Sequence, residues 1–452
     1  MYQDNNTSAW DRFGKFMRES ATLKLFVIGF IILLLLLPLS FVKELVYERQ
    51  NRQNEAIAEV SQTWGQQQTI SGPFITIPYY QSVLTSNGSM QPAKERSYAH
   101  FLPEKLEVNS DIHSEIRSRG IFDVVVYTTD ITLKGHFKQP DFTGISEVDT
   151  ATWNEAFVSL GITDLHNLTD LLVMKWNGED MALSPGVQNA ELVHSGVSAP
   201  LMLSPLGNGD FEFSITFSLR GSQGIRFLPL GKETNVHMTG DWGSPSFQGS
   251  FFPTHNITAN NFTADWKMIY LNRNYPQQFS GTPESFHESA FGMDLYVPVT
   301  DYQKNERAAK YAILIIALTF MVFFFVQVLN KVRVHGIQFI LVGLALCLFY
   351  VLLLSFTEHM GFNGAYITAA AMTIGLVGLY VKSIFKNNKL SLLNFFFLVL
   401  VYGFVFVIIQ LQEYSLLVGS IGLFIVLGAA MYLSRNITWS EELKSTQAKV
   451  ES

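Results

Sequence analysis

The sequence predicts an α+β membrane protein, with six transmembrane helices (one N-terminal, five C-terminal) and a large, mostly-β extramembrane domain. Three observations predict it. Charged residues are nearly absent from 311 to 434 and common from 43 to 310. One more apolar run, Leu23–Val42, precedes the charged region. Within that region apolar residues recur at every second position, as in Phe211–Arg220, which is strand periodicity.

Composition narrows the class further. A chain of 452 residues is too long for one ordinary soluble core. The net charge of −7, with no basic run outside short juxtamembrane turns, argues against a nucleic-acid partner. The sole cysteine, Cys347, lies in an apolar span, so the extramembrane part has neither disulfide nor thiolate metal site. An exported eukaryotic domain of this size more often carries disulfides, so the chain reads as a bacterial envelope protein.

Residues 1–22 form a polar, cytoplasmic N-terminus. Trp10, Phe13, Phe16 and Met17 have near-helical spacing, with Arg12, Lys15 and Arg18 between them. This reads either as a basic amphipathic helix on the membrane surface or as a plain polar terminus. Residues 23–42 form a transmembrane signal anchor. The run exceeds a typical signal-peptide core, and no small-x-small cleavage site precedes Lys43 and Glu44. Pro38 sits near its far end, where a lost backbone hydrogen bond is most easily re-satisfied.

Residues 43–310 form the periplasmic β-rich domain. Glu44–Trp64 keeps helical spacing and continues the anchor as a stalk. Gly72-Pro73-Phe74-Ile75-Thr76-Ile77-Pro78-Tyr79 reads as a proline-punctuated strand suited to a sheet edge. Ile121–Phe137 is one long strand or a hairpin, and Trp153–Leu160 a short helix. Phe211–Arg220 alternates strictly, followed by a turn at Gly221–Gly224 and a returning strand at Ile225–Leu230. Trp242, Phe247, Phe251, Phe252 and Trp266 supply bulk for a core between sheets.

Residues 311–434 form a five-helix transmembrane bundle, with spans near Tyr311–Asn330, Gly336–Ser355, Phe362–Val381, Leu390–Gln410 and Tyr414–Ser434. Residues 435–452 form a cytoplasmic tail. Lys331 and Arg333 mark the turn between the second and third spans and Lys382, Lys386 and Lys389 that between the fourth and fifth, and both termini are basic, while the turns holding Glu358 and Glu413 carry no Lys or Arg. By the positive-inside rule both termini are cytoplasmic, and residues 43–310 and the acidic turns lie outside.

No residue pattern announces catalysis, a metal or a cofactor. HExxH, P-loop, GxSxG and Rossmann fingerprints are missing, and no two histidines stand at i, i+3 or i+4. No acidic or basic residue sits near the centre of the five C-terminal spans, which counts against ion-coupled transport. Gln327, Gln338, Thr319, Thr368, Thr373, Tyr350, Tyr380 and Tyr402 are the candidates for interhelical hydrogen bonds. Ala365/Ala369, Ala371/Gly375 and Gly419/Gly422 mark close-packing faces.

The candidate contact residues are Arg226, Trp242 and Phe247, in the aromatic stretch from Arg226 to Pro253, and Glu358 with His359. The last two form the tip of the hairpin Gln338–Tyr366. They read as a contact with the outer domain, pH-sensitive because histidine as a residue type titrates near neutrality, or as a solvated turn. Trp242 and Phe247 read equally as buried inter-sheet core.

Several stretches carry a resemblance to a known family. Gly72–Tyr79, Ile225-Arg226-Phe227-Leu228-Pro229-Leu230-Gly231, Asp241–Gly249, Leu271-Asn272-Arg273, Arg307–Ala312 and the hairpin Gln338–Tyr366 resemble, in number and order, the CreD family of bacterial inner-membrane proteins. One segment departs: near Asp164–Leu168 the family pattern leads one to expect an Arg-Gly pair. The resemblance implies a protein tied to envelope integrity, envelope stress and β-lactam responses, without established enzymatic activity or cofactor. The expected partners are membrane lipids and an envelope protein or polymer. Alternatives are a transporter or channel for a lipid or amphipathic envelope compound and, third, an enzyme acting on envelope polymers.

Overall fold

The computed structural model describes residues 21–84, 90–145, 148–205, 209–295, 301–330, 332, 334–385, 387–411 and 414–435. Trp10, Phe13, Phe16 and Met17, the turn residues Lys331, Arg333, Lys386 and Glu413, and the tail from 436 lie outside these. The chain forms two compact units, residues 53–298 and residues 1–52 with 299–452.

The first unit is built from two sheets that share one apolar core. The eight-stranded sheet has the order Thr254–Ile257, Phe262–Ile269, Glu233–Gly240, Lys105–Arg119, Phe122–Phe137, Phe211–Ser222, Val173–Trp176, Glu179–Ala182. The ten-stranded sheet follows the path Pro245–Gln248, Phe291–Leu295, Gly224–Phe227, Gln68–Leu84, Phe157–Ile162, Gly196–Pro200, Ser184–Pro185, with three further strands off it. Phe122–Phe137 is one strand, paired along its length with Lys105–Arg119 in a hairpin. Its turn uses Gly120 at φ 64, a conformation glycine reaches without steric cost.

The alternation of Phe211–Arg220 is realised: Phe213, Ile215, Phe217 and Leu219 are buried, and Glu212, Thr216 and Arg220 are exposed. Each such buried side chain contributes roughly 1.5–3 kcal/mol.

Four local expectations need correction. Gln68–Leu84 is a central strand, not an edge. Its prolines fall where pairing is interrupted. Pro73 lies in the register shift between Ser71 and Phe74, and Pro78 lies between the partner strands Phe157–Ile162 and Val148–Ala151. Neither position needs a ladder N–H on that side. Ile225–Leu230 is not a hairpin return. Gln223, at φ 65, redirects the chain out of one sheet, and Gly224–Phe227 pairs in the other, parallel to Gln68–Ile70 and antiparallel to Phe291–Leu295. Trp153–Leu160 is a single 3-10 turn, Trp153–Glu155, followed by the fully buried strand Phe157–Ile162. Phe252 is no core residue: it is 75% exposed, whereas Trp266 is buried.

The second unit is helical. Helix α1 (Ala21–Trp64) runs unbroken from the anchor through the stalk. It is followed by α2 (Asp301–Lys310), α3 (Ala312–Leu329), α4 (Gly336–Phe385), α5 (Asn388–Gln410) and α6 (Ser415–Ser434). Among the described residues five helices are long and apolar enough to cross a membrane, where the sequence predicts six spans. The difference lies in α4, which is broken at Gly361 (φ 70, ψ 164). The rings of Phe349 and Tyr366 lie 5.4 Å apart, yet about 25 Å would separate these positions along a straight helix. The halves of α4 therefore fold back on each other.

Small residues set the closest approaches. A Cβ at Gly343 would fall 2.2 Å from Leu35 Cδ1 of α1, and one at Gly422 2.1 Å from Phe404 Cζ of α5. Ala365 and Ala369 are fully buried, whereas Ala371 is exposed and Gly375 faces open space.

Candidate functional site

Two places concentrate polar side chains. The first surrounds the break in α4. The Phe362 N–H, opening the second half of the helix, donates to Asp301 Oδ2 of α2 at 3.1 Å. A carboxylate there satisfies an orphan donor and complements the helix dipole. Thr357 donates to Leu353 O at 2.6 Å and lies 3.4 Å from Asn305 Oδ1. Arg49 Nη1 of α1 stands 3.4 Å from Glu358 Oε1, an ion pair by distance without hydrogen-bond alignment. Burial, then the neighbouring Glu358 carboxylate, pushes the Tyr302 phenol up to about 12.

Glu358 thus meets α1 and α2, while His359 beside it is exposed. The cluster fixes the register of α1, α2 and the hairpin. It offers no nucleophile–base pair, and among the described residues no group of three His, Cys, Asp or Glu could hold a metal ion.

The second place is the outward face of the eight-stranded sheet. Two cross-strand rows run over three neighbouring strands. Asn109, His237 and Asp265 form one, and Glu107, Asn235 and Lys267 the other. His237 Nδ1 lies 2.7 Å from Asp265 Oδ1. The rows line a groove of about 440 Å³ that also has Phe252 in its wall.

The remaining sequence candidates serve the fold. Arg226 donates to Met293 O at 2.7 Å and to Asp294 Oδ1 at 2.6 Å, strapping Gly224–Phe227 to Phe291–Leu295. Phe247 is half-buried at the centre of a ring cluster with Phe252, His255, Phe262 and Trp266. Trp242 is half-buried against the same core. Glu358 and His359 belong to the unit of residues 1–52 and 299–452, and Arg226, Trp242 and Phe247 to that of residues 53–298.

Sequence reasoning missed the polar rows, whose members are scattered through the chain and are brought side by side only by strand register. It also missed Arg273, quoted above only as part of a motif. That residue is 7% exposed, hydrogen-bonded to Gln277, and 4.4 Å from the Tyr275 ring centre; burial pulls its pKa down.

Fold and sites together define a membrane protein with several apolar helices, a large mixed-sheet domain and no catalytic constellation among the described residues. The family described as "Inner membrane protein CreD" matches residues 20–440. The chain is also 30% identical over 414 residues to the Inner membrane protein CreD of Escherichia coli (strain K12), covering 90% of this chain and 91% of that protein. The chain belongs to the CreD family of inner membrane proteins.

Proposed function

We propose that this CreD-family protein is a non-enzymatic inner-membrane protein that supports envelope integrity and the envelope-stress response, its β unit binding an envelope partner in the periplasm. The hairpin within α4 supplies two crossings, giving six, with both termini cytoplasmic and residues 43–310 periplasmic. The alternation of basic and acidic turns supports that orientation. The observation that carries the binding reading is the polar, groove-bearing sheet face, on which the side chains of His237, Asp265 and Lys267 are exposed.

The test is photo-crosslinking in intact cells from Asn109 and His237, with Leu171, 92% exposed, as a reference position. The proposal expects a discrete envelope adduct from the groove positions and none from Leu171. Recovery of no envelope component from the groove contradicts it.

One observation favours the second reading, a transporter or channel for a lipid or amphipathic envelope compound. Asn394, Tyr350 and Tyr402 bury side-chain polar atoms in the bundle without partners. Asn394→Leu separates the two readings. A purely structural bundle keeps its envelope phenotype and melts no lower, because an unsatisfied buried amide is itself costly. A transport path loses function.

A further inference from the structure

The groove on the eight-stranded sheet has a specific chemistry. Its two rows, Asn109–His237–Asp265 and Glu107–Asn235–Lys267, stand in direct cross-strand register. Neighbouring strands lie about 4.8 Å apart and successive residues on one face about 7 Å apart, so the rows form a two-by-three grid of hydrogen-bonding groups. The grid mixes donors and acceptors. Two carboxylates, Glu107 and Asp265, stand against Lys267 and the His237 ring, so no strong field of either sign selects a phosphate, a polyanion or a basic peptide. The apolar side chains of Val236 and Trp266 point into the core, leaving no greasy floor for an acyl chain.

One apolar element faces the groove, and it is a ring. Phe252 is 75% exposed, yet it is held edge-on by Phe247 at 5.9 Å and by His255 at 5.4 Å. A fixed, exposed phenyl beside a grid of amide, imidazole, ammonium and carboxylate groups of mixed sign suits a ligand with an apolar C–H face and a rim of hydroxyls. A second groove, of about 380 Å³, continues on the same sheet face and shares Glu107, so the surface is extended rather than a single socket. It adds Lys134, His136, Lys175, Glu212 and Ser214.

We propose that this face binds a glycan: an uncharged oligosaccharide lies along the sheet, stacking one ring on Phe252 and giving its hydroxyls to the two rows. The inference rests on the reading that the β unit meets an envelope partner, and it names that partner's chemical class.

The test is calorimetric titration of the full-length protein in lipid nanodiscs with three neutral tetrasaccharides: β-1,4-linked N-acetylglucosamine tetramer, cellotetraose and maltotetraose. Saturable binding of at least one is expected. Phe252→Ala and Asn235→Ala should each weaken it tenfold or more at an unchanged melting midpoint, and Leu171→Ala should leave it unmoved. No saturable binding to any of the three overturns the proposal. So does binding that ignores both groove variants, or binding of heparin in their place. A protein adduct from the groove in cells, with no oligosaccharide bound in vitro, sinks the glycan and keeps the partner reading. Oligosaccharide binding in vitro without any envelope adduct in cells does the reverse.

Discussion

The β unit and the membrane unit bury opposite things. In the β unit both sheets close on a shared apolar core and turn Thr, Asp, Glu, Lys and His outward, where most find partners. The membrane unit turns apolar residues outward: α6 buries none of its side chains, and Leu416 and Phe424 are 82% and 77% exposed. Inside, among the described residues, it leaves both amide atoms of Asn394, Oε1 of Gln327 and the hydroxyls of Tyr350 and Tyr402 without partners. The apolar exterior is stable only against lipid, where polar interior groups and small residues supply helix contacts. Of the two units, the β unit is thus the one whose exterior suits water, and the proposed partner site lies on its hydrogen-bonding face.

Core truncation should separate the units most strongly. Ile215 is fully buried, and Ile215→Ala should cost about 2–5 kcal/mol in the β unit, seen as a lowered melting transition of the full chain in detergent. An unchanged transition would mean that the shared core does not hold the sheets.

Packing of the membrane unit responds to added rather than lost volume. Gly343→Val pushes a side chain into Leu35 of α1 and should cost about 1–3 kcal/mol, while Gly375→Val, at open space, should not. Equal effects at both sites would erase the distinction between packed and lipid-facing positions.

A smaller effect sits at the break in α4. Asp301→Ala leaves the Phe362 N–H without its cap and should cost about 0.5–2 kcal/mol, with faster hydrogen exchange confined to the residues after Gly361.

The smallest effect is electrostatic and belongs to the β unit. Burial works to raise Glu104, but Lys232 and Lys138 outweigh it and hold its carboxyl below the usual range. A lowered folded-state pKa gives stability that is complete above the unfolded value and is lost as pH falls through the folded one. Glu104→Gln should therefore lower the midpoint at pH 6, by under about 1 kcal/mol for so open a pair, and converge with the parent chain only as the pH falls through the lowered folded-state value.

Much of this was legible in the sequence, for physical reasons that differ by region. An apolar span declares itself by length alone, so α1, α3, α5, α6 and both halves of α4 stand where the hydropathy places them. The strand Phe211–Ser222 declares itself by alternation. Partnership does not: Gly224–Phe227 pairs with Gln68–Ile70, a choice made by the collapsed core and not by its neighbours in sequence. The same holds for the sites. Glu358 is conspicuous as a charge between apolar runs, but its pairing with Arg49 depends on how α1 and the hairpin pack. Phe252 looked like core because hydrophobicity cannot tell a ring that fills a core from one displayed beside a groove.

The proposed topology, with six crossings and the β unit on the side of the membrane opposite the termini, is open to site-specific labelling. In a Cys347→Ser background, single cysteines at Thr132, His359 and Lys389 are offered a membrane-impermeant maleimide in Escherichia coli cells with a permeabilised outer membrane. Positions 132 and 359 should label in intact cells, and 389 only after lysis. Labelling of 359 and 389 from the same side would contradict it.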